Sequence, residues 1–264
     1  MKDILIGGVK ATVLGEDKLS PHSKATLVVL VHGRSSSKFS TTEFAQILMQ
    51  TCPDLVCCVY DLPNHGSRLI DSFANRSWSS GNANHLLEML AVLDQGAAEA
   101  ESLLRYVPYF LPEINVTRRV LIGTSLGGYV AWKVAAYNSD LLSAVVPIIS
   151  SPDLPSVIVR RWEQYKDNNS LEASRIQPFA IPPPVIDNLV TKARKICKIR
   201  KRSLAVLAIC GAEDDLVPPQ YTAEWAGSAG MNQKVEFFPG VKHEVTRGMI
   251  DLTAEYLLSI QTMN

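Results

Sequence analysis

The sequence has neither an excess of charge nor a long hydrophobic run. Its 264 residues include 26 Lys or Arg and 26 Asp or Glu, so the formal net charge is zero at pH 7. Balanced charge gives no general attraction to nucleic acid, and no nucleic-acid partner is expected. No apolar stretch reaches the roughly 20 residues of a membrane span. Residues 1–8 become polar too soon for a signal peptide, and we predict no transmembrane segment.

Cysteine is scarce and its spacing is irregular. The chain has five cysteines, an odd number, and their spacing is not that of metal ligands. Three of them lie in apolar, strand-like runs, where cysteine acts as a small hydrophobic residue. We therefore predict no disulfide framework and no metal site, and a reducing, cytoplasmic location. The five are Cys52, Cys57, Cys58, Cys197 and Cys210.

Apolar runs alternate with helical patterns along most of the chain. Residues 25–31 and 55–60 are continuously apolar, as in strands that are covered on both faces of a parallel sheet. Strand and helix in alternation predict an α/β fold with a mostly parallel central sheet flanked by helices. Residues 151–203 contain no clear strand. We predict one core domain from residues 1–150 and 204–264, with residues 151–203 as a helical insertion.

Residues 123–127 read Gly-Thr-Ser-Leu-Gly, which is the G-x-S-x-G pattern of a nucleophile elbow. An apolar run at 120–122 precedes it, and a helical pattern follows. Such a turn is so tight that a side chain two residues before or after the serine would collide with its surroundings, so both places are Gly. The helix aims free N–H groups at the site. These features make Ser125 a candidate nucleophile.

With this motif on this strand pattern, the chain resembles the α/β-hydrolase superfamily over nearly its whole length. Residues 151–203 stand at the position of that family's cap or lid. The family's chain order of serine, acid and histidine implies a triad of Ser125, Asp214 and His243. Asp214 fits the family pattern G-x-x-D-x-x-V, between Gly211 and Val217. Its neighbour Asp215 is the alternative acid.

The chemistry assigns a role to each member of the implied triad. A serine hydroxyl is a poor nucleophile near neutral pH, so a base must take its proton. His243 is expected to do this, while the acid orients the imidazole ring and stabilises the imidazolium. Two distances test the assignment: Ser125 Oγ should lie near His243 Nε2, and Asp214 should face His243 Nδ1. His22 and His85 are expected to be surface residues.

The loop after residues 25–31 contains His32, Gly33 and Arg34. The resemblance implies that the backbone N–H groups of Arg34 and Leu126 form the oxyanion hole. It also implies that His32 shapes the turn, while Gly33 lets the chain pass close to the substrate oxygen. The Arg34 side chain is expected to face solvent, with contact to an acidic group of the substrate as the alternative.

Residues 61–68 read Asp-Leu-Pro-Asn-His-Gly-Ser-Arg. This D-x-P-x-H-G-x-R segment resembles esterases related to dienelactone hydrolase and to the prolyl oligopeptidase catalytic domain, and Trp78 fits that resemblance. His65 and Arg68 either reach the substrate pocket or brace the loop against the oxyanion turn. We predict bracing.

The insertion is expected to set substrate choice. Trp162, Tyr165 and Phe179 either line an acyl or aromatic pocket or bury the insertion's own helices. The basic stretch from Lys192 to Arg202 is expected to be a solvated helix face. Docking to an anionic membrane surface or an acidic substrate is the alternative.

These features predict a serine hydrolase that cleaves a carboxylic ester through an acyl-serine intermediate. It needs no metal and no organic cofactor, and its partner is a small-molecule ester or acyl substrate. The same triad cleaves thioesters and peptides, so a thioesterase and a small serine peptidase are alternatives. A protein of this fold that binds a ligand without catalysis is the alternative from another class.

Overall fold

The structure, a computed structural model, describes residues 1–169, 184–185, 187–188, 190–191, 204–226 and 232–262. Its strands are β1 Lys2–Ile6, β2 Val9–Leu14, β3 Lys24–Val31, β4 Leu55–Tyr60, β5 Asn115–Thr124, β6 Ala144–Ile148, β7 Ala205–Gly211 and β8 Gln233–Phe238. The longer helices are α1 Lys38–Thr51, α2 His85–Tyr106, α3 Leu126–Tyr137, α4 Leu154–Asn168, α5 Gln220–Ala226 and α6 Arg247–Thr262.

The eight strands form one sheet in the order β1-β2-β4-β3-β5-β6-β7-β8. The six strands from β3 to β8 pair in parallel, whereas β2 pairs antiparallel with both β1 and β4. This confirms the predicted α/β fold with its mostly parallel sheet.

Residues on the two faces of the sheet pack into two separate cores. Along β3, Leu27 and Val29 belong to the core that contains α2, α3 and α4. Val28 and Leu30 belong to the core beneath α1 and α6. Because successive side chains of a strand point to opposite faces, a strand covered on both sides must be apolar throughout. This is the physical reason for the continuous apolar runs in the sequence.

The direction of the chain across the sheet reverses at β3 and β5. From β3 the chain first moves outward to β4 and then returns to place β5 on the other side of β3. Such a switch point opens a crevice at the carboxyl ends of the strands. The loops after β3 and β5, which carry residues 32–34 and Ser125, therefore meet in that crevice.

Of the insertion, the described residues include α4 and six positions between 184 and 191. Phe179 and the basic stretch from Lys192 to Arg202 lie outside the described residues, and the division into core and cap stays a prediction. Within the described ranges, no helix is both long enough and apolar enough to cross a membrane.

Candidate active site

Ser125 occupies the turn between β5 and α3 in a backbone conformation that is rare for a residue with a side chain. Its φ is 52° and its ψ is −113°, so the turn is strained. A Cβ atom on Gly123 would overlap the carbonyl oxygen of Gly127, and one on Gly127 would overlap that of Val31. The backbone N–H of Ser125 donates to Ile148 O at 2.9 Å. The two glycines and this hydrogen bond hold the serine in its strained conformation.

Ser125, His243 and Asp214 come from three different loops and form a continuous hydrogen-bonded array. Ser125 Oγ lies 2.9 Å from His243 Nε2, and His243 Nδ1 lies 2.7 Å from Asp214 Oδ2. Because the carboxylate oxygen can only accept, the Nδ1 atom carries the proton and Nε2 faces the serine hydroxyl. The structure thus brings together the three residues that the sequence selected.

Asp214 is fixed by the backbone that follows it. Its Oδ1 accepts hydrogen bonds from the N–H groups of Leu216 and Val217, both at 2.9 Å, which leaves Oδ2 for His243. The Asp214 side chain is 1% exposed and that of His243 is 21% exposed. Asp215 is exposed to solvent, and the hydrogen bond to the histidine is made by Asp214. The turn that buries Asp214 therefore explains the spacing of the G-x-x-D-x-x-V pattern.

His32 lies wholly buried behind the loop that follows β3. Its Nδ1 is 2.7 Å from Gly33 O, and its Nε2 accepts from the backbone N–H of Leu62 at 3.0 Å. This pattern defines a neutral imidazole with the proton on Nδ1. Burial lowers the pKa of His32 to about 4. His32 thus ties the turn to the loop after β4, while a Cβ atom on Gly33 would lie 3.3 Å from Ser125 Cβ.

The Arg34 side chain does not extend into solvent, so the expectation for it was wrong. It is half-buried, and Nη1 donates to Asn75 O at 3.0 Å. Together with Leu126 it lines a small cavity, whose other walls come from the loop after β4 and from α2. Burial, and then the charge of Arg161, lower the pKa of the guanidinium. No pattern in the sequence indicated that residues 73–76 fold back over the oxyanion loop.

The segment from Asp61 to Arg68 is a tightly bonded turn. Asp61 accepts hydrogen bonds from Lys38 N at 2.7 Å and from both N–H and hydroxyl of Ser67, at 3.0 and 2.8 Å. Arg68 makes two parallel bonds to Glu99, at 2.7 and 2.8 Å, and a third to Asp61 O. Arg68 therefore braces the loop against α2.

His65 lies against His32, with ring centroids 5.4 Å apart. Its Nδ1 lies 2.8 Å from Pro63 O, and its ring lines the same cavity as Arg34. His65 thus shapes the loop, and it also borders a cavity beside the oxyanion turn.

Trp162 and Tyr165 are buried in an aromatic cluster with Trp78. The Trp78 ring centroid is 5.1 Å from that of Trp162 and 6.5 Å from that of Tyr165. These contacts match the packing alternative, and substrate binding by the two residues stays a prediction.

His85 belongs to the same aromatic cluster and corrects an expectation. It was expected at the surface but is 2% exposed, with its ring 5.1 Å from that of Trp78. The helix begins at His85 itself, so its first residue faces the core. Burial lowers the pKa of His85 to about 3. His22, by contrast, is exposed as expected.

Sequence reasoning overlooked Arg161 and Glu99. Arg161 stands four residues after Val157 and four before Tyr165, both buried positions of α4. That spacing alone would have marked it as inward-facing. Glu99 stands three residues after Gly96 and four before Leu103, both buried positions of α2, so the same spacing would have marked it. In the part of the chain that the structure describes, no group of three His, Cys, Asp or Glu side chains is arranged to hold a metal ion.

Comparisons with known proteins agree with this architecture. TT1662 from Thermus thermophilus is 16% identical, with a TM-score of 0.65 over 99% of this chain and 97% of that one. A monoacylglycerol lipase from Paleococcus ferrophilus is 15% identical, with a TM-score of 0.62 over 96% and 99%. The esterase Pf2001 from Pyrococcus furiosus is 16% identical, with a TM-score of 0.60 over 98% and 92%.

At these identities the solved structures establish a shared fold. No curated protein sequence matches the chain. A family model described as the alpha/beta hydrolase family matches residues 28–247. Because that match spans most of the chain, and the sheet has the fold of the solved structures, the chain belongs to the alpha/beta hydrolase family.

Proposed function

We propose that this hydrolase cleaves a carboxylic ester through a covalent acyl-serine intermediate, with Ser125, His243 and Asp214 as its catalytic triad. The observation that carries the proposal is the array in which His243 bonds to Ser125 at 2.9 Å and to Asp214 at 2.7 Å. Both distances lie in the range of working hydrogen bonds, and both bonds use the nitrogen that the chemistry requires.

In the acylation step, His243 Nε2 takes the proton of Ser125 Oγ as the oxygen attacks the ester carbon. The imidazolium that forms keeps its Nδ1 proton on the Asp214 carboxylate, which stabilises the positive charge. The tetrahedral intermediate collapses, the ester C–O bond breaks, and His243 protonates the departing alcohol. In the second step His243 takes a proton from water, the hydroxide attacks the acyl-serine, and the acid leaves with Ser125 Oγ reprotonated.

The backbone N–H groups of Arg34 and Leu126 form the proposed oxyanion hole. Leu126 is the first residue of α3, so its N–H has no acceptor within the helix. The positive end of the helix dipole adds to the stabilisation of a negative oxygen there. In other enzymes, the loss of one donor of this kind lowers kcat by about 10²- to 10³-fold. Gly33 supports the same role, because its lack of a side chain leaves room beside Ser125.

An ester substrate is supported by the names of the structural neighbours, which include an esterase and a monoacylglycerol lipase. Residues 151–203 are proposed as the cap that selects the substrate, because α4 begins at Leu154, shortly after the carboxyl end of β6 at Ile148. A cytoplasmic location is supported by Cys52, Cys57, Cys58 and Cys210, which are buried free thiols.

The experiment is steady-state hydrolysis of 4-nitrophenyl esters of increasing acyl length by the wild type and Ser125→Ala. The expected result is turnover by the wild type and its loss in the variant. Ser102→Ala is the matched control, since the partner of Ser102 Oγ among the described residues is Ala98 O of its own helix. Equal rates for the wild type and Ser125→Ala would refute the proposal.

A further inference from the structure

Two half-buried arginine side chains lie on the oxyanion loop and on α4. Arg34 follows the turn after β3, and Arg161 lies on α4. A buried cation is costly unless an anion or several acceptors compensate for its lost hydration.

Arg68 shows how this chain compensates for a half-buried arginine. Its guanidinium makes two parallel bonds to the Glu99 carboxylate, and this pairing raises the pKa of Arg68. Arg34 is different, because among the described residues its guanidinium makes one hydrogen bond, to the backbone oxygen of Asn75. Within the described residues, no carboxylate lies at ion-pair distance from Arg34 or from Arg161.

The charge that acts on Arg34 is that of another cation. Burial first, and then repulsion by Arg161, lower the pKa of Arg34. Burial lowers the pKa of Arg161 as well, and the phenol of Tyr129 acts on it in the opposite direction. Tyr129 is one helical turn beyond the nucleophile, and its N–H donates to Ser125 O at 3.1 Å. The two guanidinium charges therefore act on each other, and Tyr129, on the helix that follows the nucleophile, acts on Arg161.

The position of Arg161 also follows from its neighbours on α4. The next residue, Trp162, packs against Trp78, which packs against His85. His85 and Arg34 line one cavity together with Leu126, whose N–H belongs to the proposed oxyanion hole. Burial first, and then the charges of Arg34 and Arg161, lower the pKa of His85.

The carboxylates nearby already have other partners. Glu88 lines the cavity, but its Oε2 accepts from Asn82 Nδ2 at 2.7 Å. Asp153 caps α4 by accepting from both the N–H and the hydroxyl of Ser156, at 3.2 and 2.7 Å. Asp214 bonds His243.

The cavity beside Arg34 holds two further polar atoms without partners among the described residues. These are the Nε2 atoms of His65 and His85, and each residue is 2% exposed. Both rings line the cavity. Since Nδ1 of His65 bonds Pro63 O, its Nε2 is a free acceptor. A neutral acceptor of this kind can bond a donor such as water or a hydroxyl but not a carboxylate, so guanidinium donors alone would hold an anion here.

We propose that Arg34 and Arg161 bind a carboxylate carried by the ester substrate, so that the hydrolase prefers anionic esters to neutral ones. The inference rests on the proposed serine-hydrolase function and names its substrate class. Guanidinium groups suit this role because their planar donors match a carboxylate. Guanidinium groups that the folded chain already holds in place would bind the anion without a further cost of ordering.

The test compares kcat/KM for two esters of equal length, mono-4-nitrophenyl adipate and 4-nitrophenyl hexanoate. They differ by a carboxylate in place of the terminal methyl group. Methyl 4-nitrophenyl adipate supplies a neutral ester that keeps the oxygen atoms. The wild type is expected to favour the anionic ester by about tenfold to a hundredfold, the range of charge-assisted hydrogen bonds. Added salt should reduce the ratio.

Arg161→Gln and Arg34→Gln are each expected to bring the ratio of anionic to neutral kcat/KM close to one. Arg161→Lys keeps the charge and should keep part of the preference. Arg105→Gln is the matched control, because Arg105 pairs with Glu101 on the surface of α2, and its ratio should equal that of the wild type.

The two proposals fail in different ways. A wild type that reacts with a fluorophosphonate and hydrolyses the neutral ester, yet shows a ratio of one or below, overturns the inference and leaves the proposed function intact. A preference that survives unchanged in both glutamine variants also overturns it. A folded wild type that is neither labelled nor active on any ester overturns the proposed function itself.

Discussion

His243 Nδ1 lies 2.7 Å from Asp214 Oδ2, although 29 positions separate the two residues in the chain. The neighbouring Asp215 has the same carboxylate and is exposed. Two N–H groups of the following turn hold Asp214 in place and leave one of its oxygens for the histidine. The orientation of a single backbone turn thus separates two chemically identical side chains.

Asp214→Asn is expected to lower kcat by about 10⁴-fold, because an amide can leave His243 in the wrong tautomer while it keeps the geometry. Asp215→Asn is the matched control and should retain wild-type turnover. Steady-state assays with a 4-nitrophenyl ester measure kcat for both variants. A large loss in Asp215→Asn with little change in Asp214→Asn would reverse the assignment of the acid.

Gly127→Ala is expected to disturb the nucleophile turn. The added Cβ would overlap the carbonyl oxygen of Val31, which is backbone and cannot rotate away. Overpacking of this kind costs about 1–3 kcal/mol, and the displaced turn should also reduce labelling of Ser125. Gly248→Ala is the comparison, because its Cβ would meet the Phe238 side chain at 3.1 Å. Urea unfolding and labelling rates measure the two effects, and equal values for both variants would contradict this explanation.

Arg68→Ala is expected to destabilise the fold by about 2–4 kcal/mol, because it leaves the Glu99 carboxylate, 10% exposed, without its bidentate partner. Arg105→Ala removes an exposed pair to Glu101 on the same helix and should cost less than about 1 kcal/mol. Chemical denaturation measures both. Equal costs would show that Arg68 does not brace the loop.

Stability should fall as the pH drops from 6.5 to about 4. Burial lowers the pKa of His32 from 6.5 to about 4 in the folded state. Between these values the unfolded chain binds the proton and the folded chain does not, so the free energy of unfolding decreases as the pH falls. The part of the free energy of unfolding that depends on a neutral His32 is fully present above pH 6.5 and lost below pH 4. Its size is about 3 kcal/mol.

The same measurement on His32→Gln separates this contribution from those of other groups. The variant has no imidazole to protonate, so its free energy of unfolding should change less between pH 7 and pH 5 than that of the wild type. Parallel curves for the two proteins would mean that His32 does not titrate as its burial predicts.

The sheet and the nucleophile turn were predictable because local sequence encodes them. The run of β3 is apolar because both faces of the strand are buried. Residues 123 and 127 are Gly because a side chain there would overlap neighbouring backbone. Strand order alone brought the loops of Ser125, Asp214 and His243 to one edge of the sheet.

The burial and contacts of the side chains around the crevice were less predictable, because they depend on segments that are distant in sequence. Arg34 is covered by residues some 40 positions further on, at Asn75. His85 begins a helix at an end that was predicted to be exposed, yet its ring packs against Trp78 and is buried. Contacts of this range depend on how a loop folds back, and no periodicity in the sequence records that.

The most direct measurement is labelling with a fluorophosphonate, followed by mass spectrometry to locate the adduct. A phosphonylated serine forms only where a base activates the hydroxyl. The proposed triad predicts one adduct on Ser125 in the wild type, none in Ser125→Ala, and a strongly reduced yield in His243→Ala. A folded wild type that stays unlabelled, or an adduct on another residue, would contradict the proposed triad.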